Sequence, residues 1–311
     1  MKYNYLLGKI ENASFEEAPF KHLHIMDFFS EDHFNEIITN NQIKRPTANN
    51  TRDLINDLIN AGYKIQTFAG SIVSVDDYIA FLEDKNKFNK NLLVGQGVKI
   101  LSGYGMTMRL NEYQSEFLEE LYEFLNGNEF TSCLRDKFNI SNSTRVETAY
   151  QKNLTGYNLN PHPDMRNKAL TYMANIYTQQ DSHLENFHTH FLDFKDEYKY
   201  IKKFWKENQN VETCWVPWDW CSTVKKTSQN NSISIFKPSF DSLHAVDIDY
   251  DHLKQQRNQI YGNLWYENVP EVFDSNHTKL DLLSNHTELY IKESPLRKVA
   301  KNLLKKTGLI N

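Results

Sequence analysis

Apolar residues recur at helical spacing in the first part of the chain. The clearest stripe, in residues 115–125, consists of Phe117, Leu118, Leu121, Phe124 and Leu125. Ser30 and Ser74 each precede acidic residues and an apolar run, as helix N-caps do. We therefore expect residues 1–143 to be a mainly helical support region with one early extended segment.

The pattern changes near residue 144. Short runs rich in Val, Ile, Thr and aromatic residues follow one another at 145–151, 168–178, 211–217, 232–238 and 257–267. In the fourth run Ile233 and Ile235 alternate with serines, which predicts a strand with one face in water. One helical insertion is expected at 195–208, and no regular helices separate the other runs. An antiparallel sandwich or barrel over residues 144–268 is therefore predicted.

The last region, residues 269–311, is predicted to end in an amphipathic helix. Ser294 and Pro295 mark the start of this helix, and Gly308 follows its end. Apolar residues lie on one face and basic residues on the other. We expect the helix to dock on its own domain, and contact with an anionic membrane or partner is the alternative. The chain as a whole is predicted to be an α+β protein whose three regions form a single structural unit.

Charge and composition narrow the possible partners. Lys and Arg total 35 against 40 Asp and Glu, a net charge of −5, which argues against a nucleic-acid partner. The apolar runs are far shorter than the ~20 residues of a membrane span. Cys133, Cys214 and Cys221 form no CxxC pair, and the N-terminus lacks the apolar core of a signal peptide. A cytoplasmic location is therefore expected, while the oligomeric state stays open.

One histidine–aspartate pair has the spacing of a metal site. His162 and Asp164 are two residues apart in an extended segment, so both side chains point to the same side. Such a pair also occurs by chance, so its context decides. His244 follows the run 232–238 and brings a second imidazole from a distant strand. Arg257 opens the next run, and an arginine buried there needs an anion.

With this context, the sequence resembles the Fe(II)- and 2-oxoglutarate-dependent dioxygenases, in particular their prolyl 4-hydroxylase-like branch. The resemblance covers roughly residues 144–267 and implies a double-stranded β-helix, or jelly-roll, core. It implies that His162, Asp164 and His244 are the catalytic metal ligands. Two imidazoles and one carboxylate leave coordination positions open, as in non-haem Fe(II) oxygenases.

The same resemblance implies residues that bind the cosubstrate 2-oxoglutarate. Arg257 corresponds to the residue that pairs with the distal carboxylate, and Tyr150 to a tyrosine that often hydrogen-bonds the same group. Asn175 stands where the family often has a tyrosine in the strand after the aspartate. A glycine-rich stretch of the family is replaced by a segment that contains His188 and His190.

The activity implied is hydroxylation of an unactivated C–H bond by Fe(II), 2-oxoglutarate and O₂, with release of succinate and CO₂. The substrate is expected to be a small molecule, a sugar-like compound or a peptidyl side chain. Arg166, Trp215 and Trp218 are candidates for substrate contact, because one offers a charge and the others offer rings for stacking.

Two other functions stay open at the level of sequence. The first is a noncatalytic cupin-like or jelly-roll binding module, in which His162 is an ordinary polar residue of the barrel. The second is a different His-rich metal hydrolase, which predicts retained zinc and no dependence on Arg257. His252 competes with His244 for the distal ligand position, and His244 is preferred because His252 lies in an acidic segment typical of an exposed turn.

Overall fold

The structure is a computed structural model that describes residues 2–68, 71–84, 105–208 and 213–268. The predicted region 269–311, with its C-terminal amphipathic helix, lies outside the described residues. No helix in the described part of the chain is both long enough and apolar enough to cross a membrane.

Seven α-helices lie within the described residues. They are α1 (Asn4–Asn12), α2 (Glu31–Thr39), α3 (Thr51–Asn60), α4 (Val75–Glu83), α5 (Glu116–Asn126), α6 (Asn128–Lys137) and α7 (Lys199–Glu207). The side chains of Ser30 and Ser74 accept hydrogen bonds from the backbone N–H groups three residues later, which confirms both predicted N-caps. The apolar stripe at 115–125 forms α5, and α7 is the predicted helical insertion.

Eleven strands in the described residues form two antiparallel sheets. They are β1 (His22–Ile25), β2 (Tyr63–Ile65), β3 (Thr107–Leu110), β4 (Thr144–Asn153), β5 (Asn158–His162), β6 (Lys168–Asn175), β7 (Thr189–Phe194), β8 (Cys221–Lys226), β9 (Ser232–Phe236), β10 (His244–Asp247) and β11 (Arg257–Tyr266). The large sheet has the order β1-β9-β6-β11-β4-β3-β2, and the small sheet has the order β5-β10-β7-β8. The molecule is thus an α+β protein with antiparallel sheets, as the sequence predicts.

The first 143 residues contribute more to the sheet than their helical pattern predicts. Besides α1–α6, the described residues of this region supply β1, β2 and β3, which extend the large sheet at both of its ends. β1 pairs with β9, and β3 pairs with β4. β1 is the early extended segment that the sequence predicts. β2 and β3 are only three and four residues long, too short for periodicity to identify them against the neighbouring helices.

Two predictions about the strands are wrong. Residues 213–217, the described part of the predicted run 211–217, form no strand; a 3-10 turn follows at Trp218–Trp220 before β8 begins. The serine face of β9 is not in water, since Ser232 and Ser234 are 1% and 2% exposed. This polar face is enclosed by the protein, and periodicity cannot distinguish a polar interior from solvent.

The two faces of the large sheet differ. One face packs on the helices in the main hydrophobic core, where Ile260 and Leu264 of β11 lie with Leu118 of α5. Close packing on this face requires Gly262, because a Cβ there would lie 2.1 Å from the Tyr172 ring. The other face, together with the small sheet, lines a cavity of about 500 Å³. The cavity contains the candidate site.

Candidate metal centre

His162, Asp164 and His244 meet in this cavity. His162 ends β5 and His244 begins β10, and the two residues are direct partners in the antiparallel register. Asp164 follows β5 by two residues. The Nε2 atoms of His162 and His244 lie 3.8 and 3.9 Å from the two carboxylate oxygens of Asp164. The three side chains therefore offer donor atoms that all lie within 4.8 Å of one another.

Backbone carbonyls orient both imidazoles. His162 Nδ1 donates to the carbonyl of Asn160 at 2.7 Å, and His244 Nδ1 donates to the carbonyl of Ser242 at 2.9 Å. Since a carbonyl only accepts, each Nδ1 carries the proton and each Nε2 keeps its lone pair. The free lone pairs are on the atoms that face Asp164, the arrangement found in metal-binding histidines.

Asp164 is buried and stays ionised. Lys168 Nζ donates to Oδ1 at 2.7 Å, and Thr171 Oγ1 donates to Oδ2 at 2.6 Å. Burial by itself raises the pKa of Asp164, but the ammonium of Lys168 holds that pKa well below its usual range. Burial and the neighbouring His162 lower the pKa of His244 to about 4. A carboxylate and a neutral imidazole are the protonation states that a metal requires.

The donor set fits a divalent transition metal. Two imidazole nitrogens and one carboxylate oxygen suit Fe(II), and three protein ligands leave positions for other molecules to bind. Among the described residues, no other group of three histidine, cysteine or acidic side chains comes together in this way.

Arg257 is a buried cation in the same cavity. Its guanidinium donates to the carbonyl of Phe187 at 2.5 Å, to Asn153 Oδ1, and to Thr189 Oγ1 at 3.0 Å. The residue is 2% exposed, and no described carboxylate forms an ion pair with it. Burial lowers the pKa of Arg257, which remains charged at neutral pH. An anion entering the cavity would therefore find an uncompensated cation.

Tyr150 does not reach the cavity, which corrects its assignment as a 2-oxoglutarate contact. Along β4 the odd-numbered Gln151 and Asn153 face the cavity, whereas Tyr150 faces the helices. Its hydroxyl donates to the carbonyl of Leu118 in α5 at 3.0 Å. The alternation of a strand gives this result, since a residue one position away from a cavity-lining residue points to the opposite face.

Asn175 also lies outside the cavity lining. It belongs to the same face of the large sheet, but its side chain is used within the protein. Its amide nitrogen donates to the carbonyls of Thr227 and Gln229, and its oxygen accepts from Gln259 and Tyr177. These four bonds satisfy both the donors and the acceptor of the amide, so its side chain is fully used within the protein.

The structure places the three predicted substrate residues in different surroundings. Trp215 lines the cavity and stacks on His162, with ring centroids 3.9 Å apart. Trp218 packs instead against a second core cluster and lies edge-on to His190. Arg166 is half-buried outside the lining residues. His188 is likewise buried beside the cavity but not in its lining.

His252 is not near the three donors. Its Nε2 meets Thr51 Oγ1 at 3.1 Å, and its Nδ1 accepts the backbone N–H of Thr155 at 3.3 Å. It joins the β10–β11 connection to α3 and is 4% exposed, although the acidic residues around it, such as Asp249 and Asp251, are exposed as predicted.

Four polar residues of the site were not identified from the sequence. Lys168 and Thr171 hold Asp164, while Asn153 and Thr189 hold Arg257. The sequence contains a signal for Thr171. This residue lies on the strand that follows the His-x-Asp pair, and the period-two alternation of a strand limits which of its residues can face Asp164. Nothing local marked Asn153 or Thr189, since their partner lies far along the chain.

Comparisons with known proteins give matches among solved structures alone. No family model matches the chain, and no curated protein matches it. A prolyl-4-hydroxylase from Pseudomonas putida has 11% identity, with 69% of this chain and 97% of that chain covered and a TM-score of 0.34. A prolyl hydroxylase from Trichoplax adhaerens, in complex with a hypoxia-inducible factor peptide fragment, has 10% identity, coverage of 85% and 89%, and a TM-score of 0.40.

A 2-oxoglutarate–Fe(II) oxygenase family oxidoreductase from Burkholderia pseudomallei is also similar, with 10% identity, coverage of 71% and 94%, and a TM-score of 0.30. TM-scores and identities this low mark a distant likeness. The chain thus resembles 2-oxoglutarate–Fe(II) oxygenases among solved structures as well as in its sequence motifs.

Proposed function

We propose that this protein is an Fe(II)- and 2-oxoglutarate-dependent dioxygenase that hydroxylates an unactivated C–H bond of an organic substrate and releases succinate and CO₂. The observation that carries the proposal is one cavity that contains both a three-donor cluster and a buried arginine without a carboxylate partner. A metal alone explains the cluster, and a dicarboxylate bound to that metal also explains the arginine.

Each residue has a separate role in this proposal. His162, Asp164 and His244 hold the iron through Nε2, a carboxylate oxygen and Nε2. Arg257 binds the distal carboxylate of 2-oxoglutarate, with Asn153 and Thr189 fixing the guanidinium. When bound, the iron supplies the activation of O₂ that the chain's own groups cannot provide.

The surrounding fold supports this assignment. We propose that β4–β11 form the double-stranded β-helix over residues 144–268. Four of these strands (β4, β6, β9 and β11) belong to the large sheet and four (β5, β7, β8 and β10) to the small one, and the chain crosses between the sheets at every step except from β7 to β8. Residues 1–143 would support this core, and residues 269–311 would extend it. The three buried free cysteines favour a reducing compartment, so a cytoplasmic location is proposed.

The substrate is proposed to bind on the metal side of the cavity, next to Trp215. The ring of Trp215 stacks on His162 and lines the cavity, so it would border a substrate bound beside the three metal-ligand candidates. A small molecule or a peptidyl side chain fits a cavity of about 500 Å³.

The test measures binding and turnover of the cosubstrate. Purified protein with Fe(II), 2-oxoglutarate and O₂ is expected to release succinate slowly even without substrate, and Mn(II)-loaded protein is expected to bind 2-oxoglutarate in a calorimeter. His162→Ala should lose metal binding. Arg257→Met should weaken 2-oxoglutarate binding by about 10- to 150-fold while keeping the metal, since charged hydrogen bonds are lost but no ligand is.

The matched control is Tyr150→Phe, a residue outside the cavity, which should leave 2-oxoglutarate binding unchanged. Circular dichroism of each variant checks that the fold is retained. If Mn(II)-loaded protein binds no 2-oxoglutarate, the proposal is wrong and a binding module remains. Retained zinc together with hydrolytic activity that is insensitive to Arg257→Met would favour the metal hydrolase.

A further inference from the structure

Lys168 is another cation in the cavity lining, next to the three candidate metal ligands. Its Nζ donates to Asp164 Oδ1 at 2.7 Å and to the Tyr261 hydroxyl at 3.1 Å. The ammonium also lies 5.8 Å from the Tyr261 ring centroid and 5.5 Å from that of Trp265. The side chain is 11% exposed and contributes to the cavity lining. It is therefore held in a fixed place, facing the space beside the metal ligands.

The position of Lys168 on the cavity side depends on an irregularity in β6. Thr171 pairs with Asn263 and Leu170 with Leu264, but the register then shifts so that Lys168 pairs with Trp265. Cross-strand partners share a face, so Lys168 joins Trp265 on the cavity side. Strict alternation would have placed Lys168 with Leu170 against the helices. The irregularity thus brings an ammonium group to the metal centre.

The formal charges around the cavity do not balance once the proposed metal and cosubstrate are bound. Among the lining residues that the structure describes, Arg109, Lys168 and Arg257 are positive, and Glu147 and Asp164 are negative. A divalent metal and dianionic 2-oxoglutarate add charges that cancel. The complex therefore keeps one surplus positive charge.

The surplus charge lies at Lys168. Arg109 is paired with Glu147. Arg257 receives the distal carboxylate of 2-oxoglutarate, while Asp164 and the other carboxylate of the oxoacid neutralise the metal. Lys168 must then share Asp164 with a dication. A buried cation beside a metal dication is costly unless a further anion accompanies it.

The distal carboxylate of 2-oxoglutarate lies too far from Lys168 to be this further anion. Arg257 begins β11, whereas Lys168 contacts Tyr261, four residues and roughly 13 Å further along the strand. The two cations thus mark separate parts of the cavity. The part at Lys168 is bordered by the Tyr261 and Trp265 rings, which suit an apolar body next to an anionic group.

We propose that Lys168, with the Tyr261 hydroxyl, binds a carboxylate of the substrate, so that the substrate is a small organic acid with an apolar body. A single carboxylate cancels the one surplus positive charge, whereas a phosphate carries more than one negative charge and would leave a negative excess. This inference rests on the proposed function, because the charge balance assumes a bound metal and 2-oxoglutarate. Lys168 acts as a specificity-determining residue for this reaction.

The experiment compares acids with their amides on protein loaded anaerobically with Mn(II) and 2-oxoglutarate. The probes are 3-phenylpropanoate with 3-phenylpropanamide, and hexanoate with hexanamide, each titrated by calorimetry. In the native protein the acid of at least one pair should bind at least about 10-fold more tightly than its amide. Lys168→Met should abolish this preference, and Lys168→Arg should retain it in part. Lys203→Met, at a side chain that is 75% exposed on α7, is the matched control.

Binding of Mn(II) and 2-oxoglutarate by each variant separates the possible failures and also shows that the variant is folded. Native protein that binds no 2-oxoglutarate contradicts the proposed function itself. If Lys168→Met weakens 2-oxoglutarate binding as strongly as Arg257→Met, Lys168 contacts the oxoacid and the substrate site is wrong. Equal binding of acids and amides by the native protein, or no binding of either, also contradicts the proposed carboxylate site at Lys168.

Discussion

The two faces of the large sheet carry different kinds of residues on the same strands. Along β11, Ile260 and Leu264 face the helices and lie in the main hydrophobic core. Arg257, Tyr261 and Asn263 face the cavity, where polar side chains bond to one another. One face therefore provides burial of apolar area, and the other provides directed hydrogen bonds and charge.

Because successive residues of a strand face opposite sides, residues that stabilise the fold and residues that bind ligands occupy alternate positions along it. A substitution on the helix face should change the free energy of unfolding and leave ligand binding intact, because none of the helix-face side chains that the structure describes lines the cavity. A volume-conserving substitution on the cavity face should instead change ligand binding and leave the free energy of unfolding nearly unchanged. Four effects are expected, in decreasing order, from changes at Leu264, His252, Thr171 and Tyr150.

The largest effect is expected from Leu264→Ala, which opens a hole in the main core. Leu264 is 0% exposed, so the free energy of unfolding should fall by about 2–5 kcal/mol. Trp265→Phe, the neighbour on the other face, loses one hydrogen bond to Glu147 and should cost about 1 kcal/mol. Urea unfolding measures both. Equal losses would contradict the division between the faces.

The next effect is a pH dependence at His252, which links β11 to the helices. Burial lowers the pKa of His252 to about 4, and its Nδ1 must stay unprotonated to accept the N–H of Thr155. Because the folded-state pKa lies below the unfolded value, stability is complete above pH ~6.5 and is lost as the pH falls toward 4, by up to about 3 kcal/mol.

His252→Gln should flatten this part of the stability profile, measured by urea unfolding at a series of pH values. His183→Gln, at an exposed histidine, serves as the control and should leave the profile unchanged. An unaltered profile in His252→Gln would mean that other buried groups cause the acid sensitivity.

A smaller effect is expected from Thr171→Val on the cavity face. The substitution conserves shape but removes the hydroxyl that donates to Asp164 at 2.6 Å, so metal affinity should fall by about 10- to 100-fold. Thr148→Val is the matched variant on the helix face, where the hydroxyl bonds to Tyr172. It should leave Mn(II) affinity unchanged in calorimetry. A similar loss in both variants would show that the faces are coupled.

The smallest effect is expected from Tyr150→Phe. The variant loses the bond from the hydroxyl to the Leu118 carbonyl, which should lower the free energy of unfolding by about 1 kcal/mol. Affinity for 2-oxoglutarate should not change, because the ring faces the helices. A clear rise in the 2-oxoglutarate requirement would instead restore the contact that the sequence resemblance implies for Tyr150.

Much of the fold could be predicted because local pattern and tertiary structure agree there. Ser30 and Ser74 cap their helices as predicted, and β4, β9 and β11 fall on predicted runs. The early extended segment is β1, whereas the short strands β2 and β3 were missed, because their pairing depends on partners far away in sequence. The enclosed serines of β9 were misassigned, since alternation reveals two faces but not what covers them.

The sequence by itself determined which side chains are available for chemistry: a His-x-Asp pair, a later histidine and an arginine on the next strand. Only the tertiary structure decided which of them meet, because the β5–β10 register brings His162 opposite His244. It also decided which side chains turn away. Strand parity directs Tyr150 to the helices, and a register shift in β6 brings Lys168 to the cavity. The side-chain directions of Tyr150 and Lys168 cannot be predicted without knowing which elements pack beside the strands that carry them.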